Sequence, residues 1–291
     1  MRDEAELISS NRSQVNGSAL LKADPTAPIH PMCGGMCQAR DLTPCRQIDC
    51  EDMDRLFPDG ARLQARKTGT ILFLQGEPFD QILIVQSGWV SIHKGFENGQ
   101  RQIIRFALPG DLIGFEGNES GMAYTAETIT DMTFRTVKQS TFYQACAESP
   151  RLAMSFASMM TREALSAWNH VGALGQQTAQ GRVANLLLDL HRRITAQCQA
   201  APCQTEGPAV RLPLRQVHIA DATGLTSVHV CRTLKQMRTE RLLEFRKGEL
   251  ILLDPDRLAA IAQLDPDIAL NCPPAAPPAS LRAGSGPWSL R

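Results

Sequence analysis

RQVHIADATGLTSVHVCRTLKQMR, residues 215–238, holds two short runs with helical spacing on either side of Gly224. Ile219 and Val230 are placed as apolar anchors between the two, Ala220 is small where they would cross, and Gly224 supplies the backbone freedom of a sharp reversal. Thr226 can cap the second run, leaving Ser227, Val228, His229 and Arg232 facing outward. This is the pattern of a helix-turn-helix whose second helix enters the major groove of double-stranded DNA. An ordinary helical hairpin satisfies the same spacing, so the surroundings have to decide. Residues 211–250 carry eight Lys/Arg (Arg211, Arg215, Arg232, Lys235, Arg238, Arg241, Arg246, Lys247) against four acids, whereas the whole chain balances 30 against 30. A local excess of this kind suits a phosphate-facing surface. The following LLEFRKGELILL, residues 242–253, has a Lys247-Gly248 turn between two apolar runs and predicts a β-hairpin wing.

A chain of 291 residues with 43% hydrophobic content has room for two modest domains and tails. No apolar run approaches the roughly 20 residues of a membrane helix. The charged start, MRDEAELISSNRSQ, is no signal peptide, so a cytoplasmic protein is expected, with no membrane partner. Its nine cysteines are then expected as thiols or ligands. Residues 1–31 lack periodic hydrophobicity and 271–291 are rich in Pro, Gly and Ala, so both ends are expected to be disordered. Pro273 and Pro274 would stop a helix arriving from 256–264. His30, His93, His170, His191, His218 and His229 form no motif with acids or nucleophiles, and no phosphate-binding glycine loop is present. An enzyme is not expected.

From Lys67 to Lys138 short apolar runs alternate with turns: TILFL, ILIVQ, WVSIHK, QRQIIRFA, LIGF, MAYTAETI and MTFRTV. Strands at this spacing predict a small barrel or sandwich, followed by a helix from Ser140 to about Ala147. Residues 150–174 open with Pro150 and space Leu152, Phe156, Met159, Met160, Ala164, Trp168 and Val171 by threes and fours. The spacing by itself suits a helix packed on its own domain. Gly172 and Gly175 predict a hinge before a second helix over 178–197, with Val183, Leu186, Leu187, Leu190 and Ile194 on one face.

GEPFDQILIVQSGWVSIHK (76–94) and RFALPGDLIGF (105–115), followed by a long helix and the segment above, resemble the CRP/FNR regulators over about residues 50–262. The resemblance implies an α+β fold. Its parts are an N-terminal arm (1–50), a cyclic-nucleotide-binding-like β-roll (51–148), a dimerisation helix (149–175), a winged helix-turn-helix (176–262) and a tail (263–291). It implies a homodimeric transcription regulator, FNR/FixK-like, that binds a palindromic operator and contacts RNA polymerase. A ligand-sensing module, or a regulator governed only by its abundance, is the alternative.

In cyclic-AMP-binding members a Gly-Glu follows the PGD turn and an Arg holds the phosphate. Here Gly114-Phe115 displaces Glu116 by one, and 119–124 reads ESGMAY without an Arg. A buried phosphate without a guanidinium is poorly compensated, so cyclic AMP is not expected as the ligand.

The resemblance aligns GLTSVHVCRTL (224–234) with the family's reading helix. Arg232 falls on the Arg that reads guanine, a bidentate fork onto O6 and N7. Val228 replaces a base-contacting Glu and can only touch a thymine methyl or pack. Ser227, His229 and Arg232 are the base-contact candidates; Arg215, Thr226 and Lys235 are the phosphate candidates. Cys231 stands where oxygen-responsive members have Ser. It is either a redox switch, whose oxidation would set bulk and charge against phosphate, or a small side chain for close approach.

Cys33, Cys37, Cys45 and Cys50 fall within eighteen residues before the roll. Oxygen-sensing members hold a [4Fe–4S] cluster with cysteines here and a fourth ligand inside the roll, at a position that in this chain is Phe134. Cys50 could supply that thiolate. A zinc site or unliganded thiols remain open, since zinc usually wants tighter Cys-x-x-Cys pairs.

Overall fold

The computed structural model describes residues 52, 55–57, 63–115, 117, 118, 121–198 and 209–264. Strands β1 (Gln64–Arg66), β2 (Ile71–Phe73), β3 (Gln81–Ser87), β4 (Val90–Gly95), β5 (Arg101–Ala107), β6 (Leu112–Ile113), β7 (Gly117–Asn118), β8 (Gly121–Met122), β9 (Thr125–Thr128) and β10 (Met132–Lys138) build the roll. They form two four-stranded antiparallel sheets, ordered β1-β10-β3-β6 and β2-β9-β4-β5, with β7-β8 as a small ribbon. Their apolar faces meet in one cluster: Leu83, Val85 and Phe134 from the first sheet, Phe73, Val90, Ile92 and Ala126 from the second. Gly88, at φ 88°, turns β3 into β4 where a Cβ would collide with the Asp131 carbonyl and Met132. The run MAYTAETI is two strands, not one: the ribbon strand β8 ends at Met122 and β9 starts at Thr125.

Helices α1 (Gln139–Glu148), α2 (Pro150–Gln176) and α3 (Ala179–Cys198) follow. Pro150 opens α2, and the Ser149 hydroxyl accepts from the Leu152 N–H at 3.2 Å. The expected hinge at Gly172 and Gly175 is not there. Helix α2 runs through both glycines and breaks at Gln177, which turns extended at φ −88°, ψ 153°. Buried Ala173 pins the last turn, and the Gln177 N–H closes it on the Ala173 carbonyl. The apolar residues of α2 also serve two faces. Leu152, Phe156 and Met159 pack in the roll beside Phe142 and Phe115, while Met154, Leu165, Trp168 and Val171 stand on the surface, Trp168 at 68% exposure.

Strand β11 (Ala209–Arg211), helices α4 (Gln216–Thr223) and α5 (Ser227–Thr239), strands β12 (Leu243–Arg246) and β13 (Glu249–Leu252) and helix α6 (Pro255–Ile261) complete the described chain. The three strands pair as β11-β13-β12, the expected wing with one added strand. Helix α6 is capped at Ala262, with Gln263 at φ 50°, and Pro273 and Pro274 lie outside the described residues.

Roll and C-terminal helices share one core. Trp89, Ile103, Phe106 and Leu108 pack with Val183, Leu187 and Leu190 of α3, Ile219 and Ala220 of α4, and Val230, Leu234 and Met237 of α5. Strict alternation would put Ile103 and Phe106 on opposite faces of β5. The pairing slips between Ile92↔Arg105 and His93↔Ile103, and Ile104 is the extra residue. This bulge lets both side chains reach the helices. Polar contacts flank the core: Arg193 donates to Asp111 at 2.6 Å and to the Phe106 carbonyl at 3.0 Å.

Two buried histidines, His93 and His218, and the half-buried His170 line this junction. Burial holds His93, His170 and His218 below the ordinary 6.5, with Arg101 adding to the effect on His93 and Arg215 and Arg101 on His218. His93 Nδ1 and His170 Nε2 have no hydrogen-bond partner among the described residues. Folded-state values below 6.5 mean that protons bind the unfolded chain first. Stability is therefore full above pH 6.5 and declines as pH falls through 6.5 towards the lowered values. Thermal melts at about pH 7.5 and about pH 5.5 should show a lower Tm in acid, and His93→Gln should lose less than wild type, at about 2–4 °C for each kcal/mol. Equal losses would remove His93 as a cause.

Candidate nucleic-acid interface

The reversal at Gly224 (φ 65°) closes α4, with the Gly224 N–H bonded to the Ala220 carbonyl. Thr226, extended at φ −83°, caps α5 by accepting from the His229 N–H at 3.2 Å. Ile219 and Val230 are fully buried between the helices, as the spacing required. With Val230, Leu234 and Met237 turned inward, α5 turns Val228, His229, Cys231, Arg232, Lys235 and Gln236 outward. That face is open rather than folded against the roll.

What holds it there is the carboxyl end of α4. Arg101 of β5 donates through Nε to Asp221 at 2.6 Å and through Nη1 to Glu127 at 3.1 Å. Gln102 donates to the Ala222 carbonyl at 3.0 Å, and Arg182 of α3 reaches the Thr223 carbonyl at 3.4 Å. Cationic and amide donors thus meet the negative end of α4. None of these side chains carries a local sequence signal, because their partners lie 26 to 120 residues away.

Two of the sequence candidates, Arg232 and Lys235, share one concavity. Arg232, Lys235, Gln236, Thr239 and Glu240 line a shallow concavity of about 300 Å³ along α5. Hydrogen bonds from Gln236 and Gln180 hold the Glu240 carboxyl below its ordinary value, so an anion marks the far end of the stripe. Val228 is 61% exposed on the first turn, and Ser227 beside it is half-buried. Thr226 belongs to the cap. Arg215 stands apart at the start of α4, where its backbone N–H donates to His218 Nδ1 at 3.2 Å. The wing adds two cations that the sequence reading counted in its basic excess without giving either a contact: exposed Arg246 and Lys247. Lys247 at φ 52° and Gly248 at φ 78° make the two-residue turn. The Lys-Gly pair was the available signal.

Residues 63–149 match the cyclic nucleotide-binding domain, and residues 181–261 match the Crp-like helix-turn-helix domain. The chain is 34% identical over 194 residues to the nitrogen fixation regulation protein FixK of Azorhizobium caulinodans, covering 67% of this chain and 75% of that one. To FixK of Rhizobium meliloti it is 30% identical over 218 residues, covering 74% and 95%. It belongs to the CRP/FNR family. The structure of FixK2 from Bradyrhizobium japonicum is similar at a TM-score of 0.61 and 30% identity, over 69% of this chain and 96% of that one. The chain is accordingly a DNA-binding transcription regulator of a family made of regulators rather than enzymes. No helix among the described residues is long and apolar enough to cross a membrane.

Family membership and the open face of α5 make Arg232 the central base-reading candidate. Arg232→Ala should cost roughly 1–3 kcal/mol on a selected operator and much less on random duplex, measured by fluorescence anisotropy at fixed salt. Equal losses on both would reassign Arg232 to a phosphate.

Proposed function

We propose that this regulator works as a homodimer on a palindromic operator, presenting two copies of α5 to successive major grooves and engaging RNA polymerase. The observation that carries this reading is the second apolar face of α2. Met154, Leu165, Trp168 and Val171 lie bare, opposite the face that Leu152 and Met159 bury in the roll. A helix with two opposed apolar faces needs two partners, and one of them is its own domain. A second copy of α2, related by a two-fold axis, covers the other in the manner of a coiled coil. Gly172 and Gly175, where an added Cβ would meet nothing within 4 Å, let the two backbones approach. The likeness to FixK proteins supports a role in the control of gene expression under conditions such as nitrogen fixation.

Trp168→Glu should shift the chain from dimer to monomer at micromolar concentration in sedimentation velocity. It should weaken binding to a palindrome at least tenfold while binding to one half-site stays unchanged. A Trp168→Glu chain that remains dimeric would place the seam elsewhere.

The signal is a separate question. Cys33, Cys37, Cys45 and Cys50 lie outside the described residues, and those residues contain no group of three His, Cys, Asp or Glu placed for a metal ion. At the roll position that bears a ligand in oxygen sensors, Phe134 is 2% exposed in the sheet-to-sheet core. A [4Fe–4S] cluster would therefore be held by the four N-terminal cysteines alone, which meets its need of one thiolate per iron. Under this reading the chain responds to oxygen and not to cyclic AMP. Protein purified without oxygen should be brown with about four irons per chain, and colourless, metal-free protein would leave the cysteines without that role. Cys231, exposed beside Arg232, is first a small side chain that allows close approach to the backbone, with a direct redox effect on DNA binding as the second reading.

A further inference from the structure

Val228 is the one aliphatic side chain on the outward stripe of α5, among His229, Cys231, Arg232, Lys235 and Gln236. It is 61% exposed, and the inward side of the helix is already filled by Val230, Leu234 and Met237, each 0–3% exposed. Packing within the chain makes no use of it. Val228 stands four residues before Arg232, one helical turn, or about 6 Å along the axis. At about 3.4 Å per base pair, a helix lying along the groove would set its two methyl groups one to two pairs from a base met by Arg232.

Resting on the DNA-binding reading above, we infer that Val228 selects a thymine at that neighbouring pair by covering its C5 methyl group. Apart from the small C5–H of cytosine, the other features of the major-groove edge are hydrogen-bond donors or acceptors: N7 and O6 of guanine, N7 and N6 of adenine, O4 of thymine, N4 of cytosine. A valine has no hydrogen bond to offer any of them. Pressed against an amino group or O6, it strips water from a polar atom without replacing the lost bond, which is unfavourable. Pressed against the thymine methyl, it removes apolar surface from water on both sides. The residue thus discriminates in two ways, by attraction to one base and by desolvation of the others. The half-site is specified by an Arg–guanine fork and a Val–methyl contact side by side.

The test uses the full chain. A duplex library with a randomised stretch is carried through repeated binding and amplification to give a preferred operator. Each thymine of that operator is then replaced by deoxyuridine, which deletes only the methyl group and leaves pairing and groove polarity unchanged. One symmetric position per half-site, next to the guanine that Arg232→Ala ceases to prefer, should lose about three- to fivefold in wild-type affinity. The same replacement should cost Val228→Ala nothing, and Val228→Ala should keep the wild-type thermal melt, which controls for its folding. If wild type is indifferent to every replacement, or if Val228→Ala remains sensitive at the same position, the inference is overturned. Failure to select any duplex would overturn the DNA-binding reading itself, a different result from a selected operator that ignores the methyl.

Discussion

The packing of α4 against β5 is the contact on which the rest depends. Ile103 and Phe106 enter the same core as Ile219, Ala220 and Val230, and Arg101 and Gln102 take hold of the carboxyl end of α4. The magnitudes separate their roles. A fully buried Ile or Phe contributes roughly 1.5–3 kcal/mol, whereas a partly exposed ion pair contributes about 0–1 kcal/mol. The Arg101 and Asp221 side chains keep 32% and 19% of their surface exposed. The apolar contact therefore supplies the adhesion. The ion pair and the carbonyl contacts supply direction, because each is satisfied at one orientation of α4 and lost in others. With α4 so placed, its short turn leaves α5 little choice, and the basic stripe looks away from the roll.

Helix α2 shows how a sequence stripe can be misread when a helix serves two masters. Its apolar residues recur by threes and fours, which reads as one broad seam. In the fold that set divides between the roll and the solvent side, with Met154 and Leu165 joining Trp168 and Val171 outside. Glycine in a helix interior costs about 1 kcal/mol relative to alanine, which is why Gly172 and Gly175 suggest a break. A 27-residue helix capped by Ser149 and packed along one side absorbs that cost. The chain breaks instead at Gln177, where the Gln177 amide reaches the Ala262 carbonyl at 2.6 Å and Arg182 Nε reaches the Gln177 carbonyl at 3.0 Å.

The elements whose causes are local were legible. The reversal at Gly224, the Thr226 cap, the Lys247-Gly248 turn and the inward anchors Ile219 and Val230 all follow from residue chemistry within a few positions. So do the main strands of the roll, whose boundaries fall at Gly88, Gly99 and Gly110. The bulge at Ile104 was not legible, since it appears only once β5 has β4 beside it. Nor was the junction of buried histidines, which on the chain are spread from His93 to His218 and gain their environment only by folding.

The sequence by itself determined the kind of protein this is: a β-roll, a long helix and a winged helix-turn-helix with a guanidinium on its reading face. Those features rest on short-range rules of turn, cap and period that need no knowledge of the partner segment. Only the tertiary structure decided which way the reading face points, which half of α2 stays bare and where the chain bends between α2 and α3. These depend on contacts between residues tens to more than a hundred positions apart. Their free energy comes from excluding water between surfaces, and no stretch of the chain contains both surfaces.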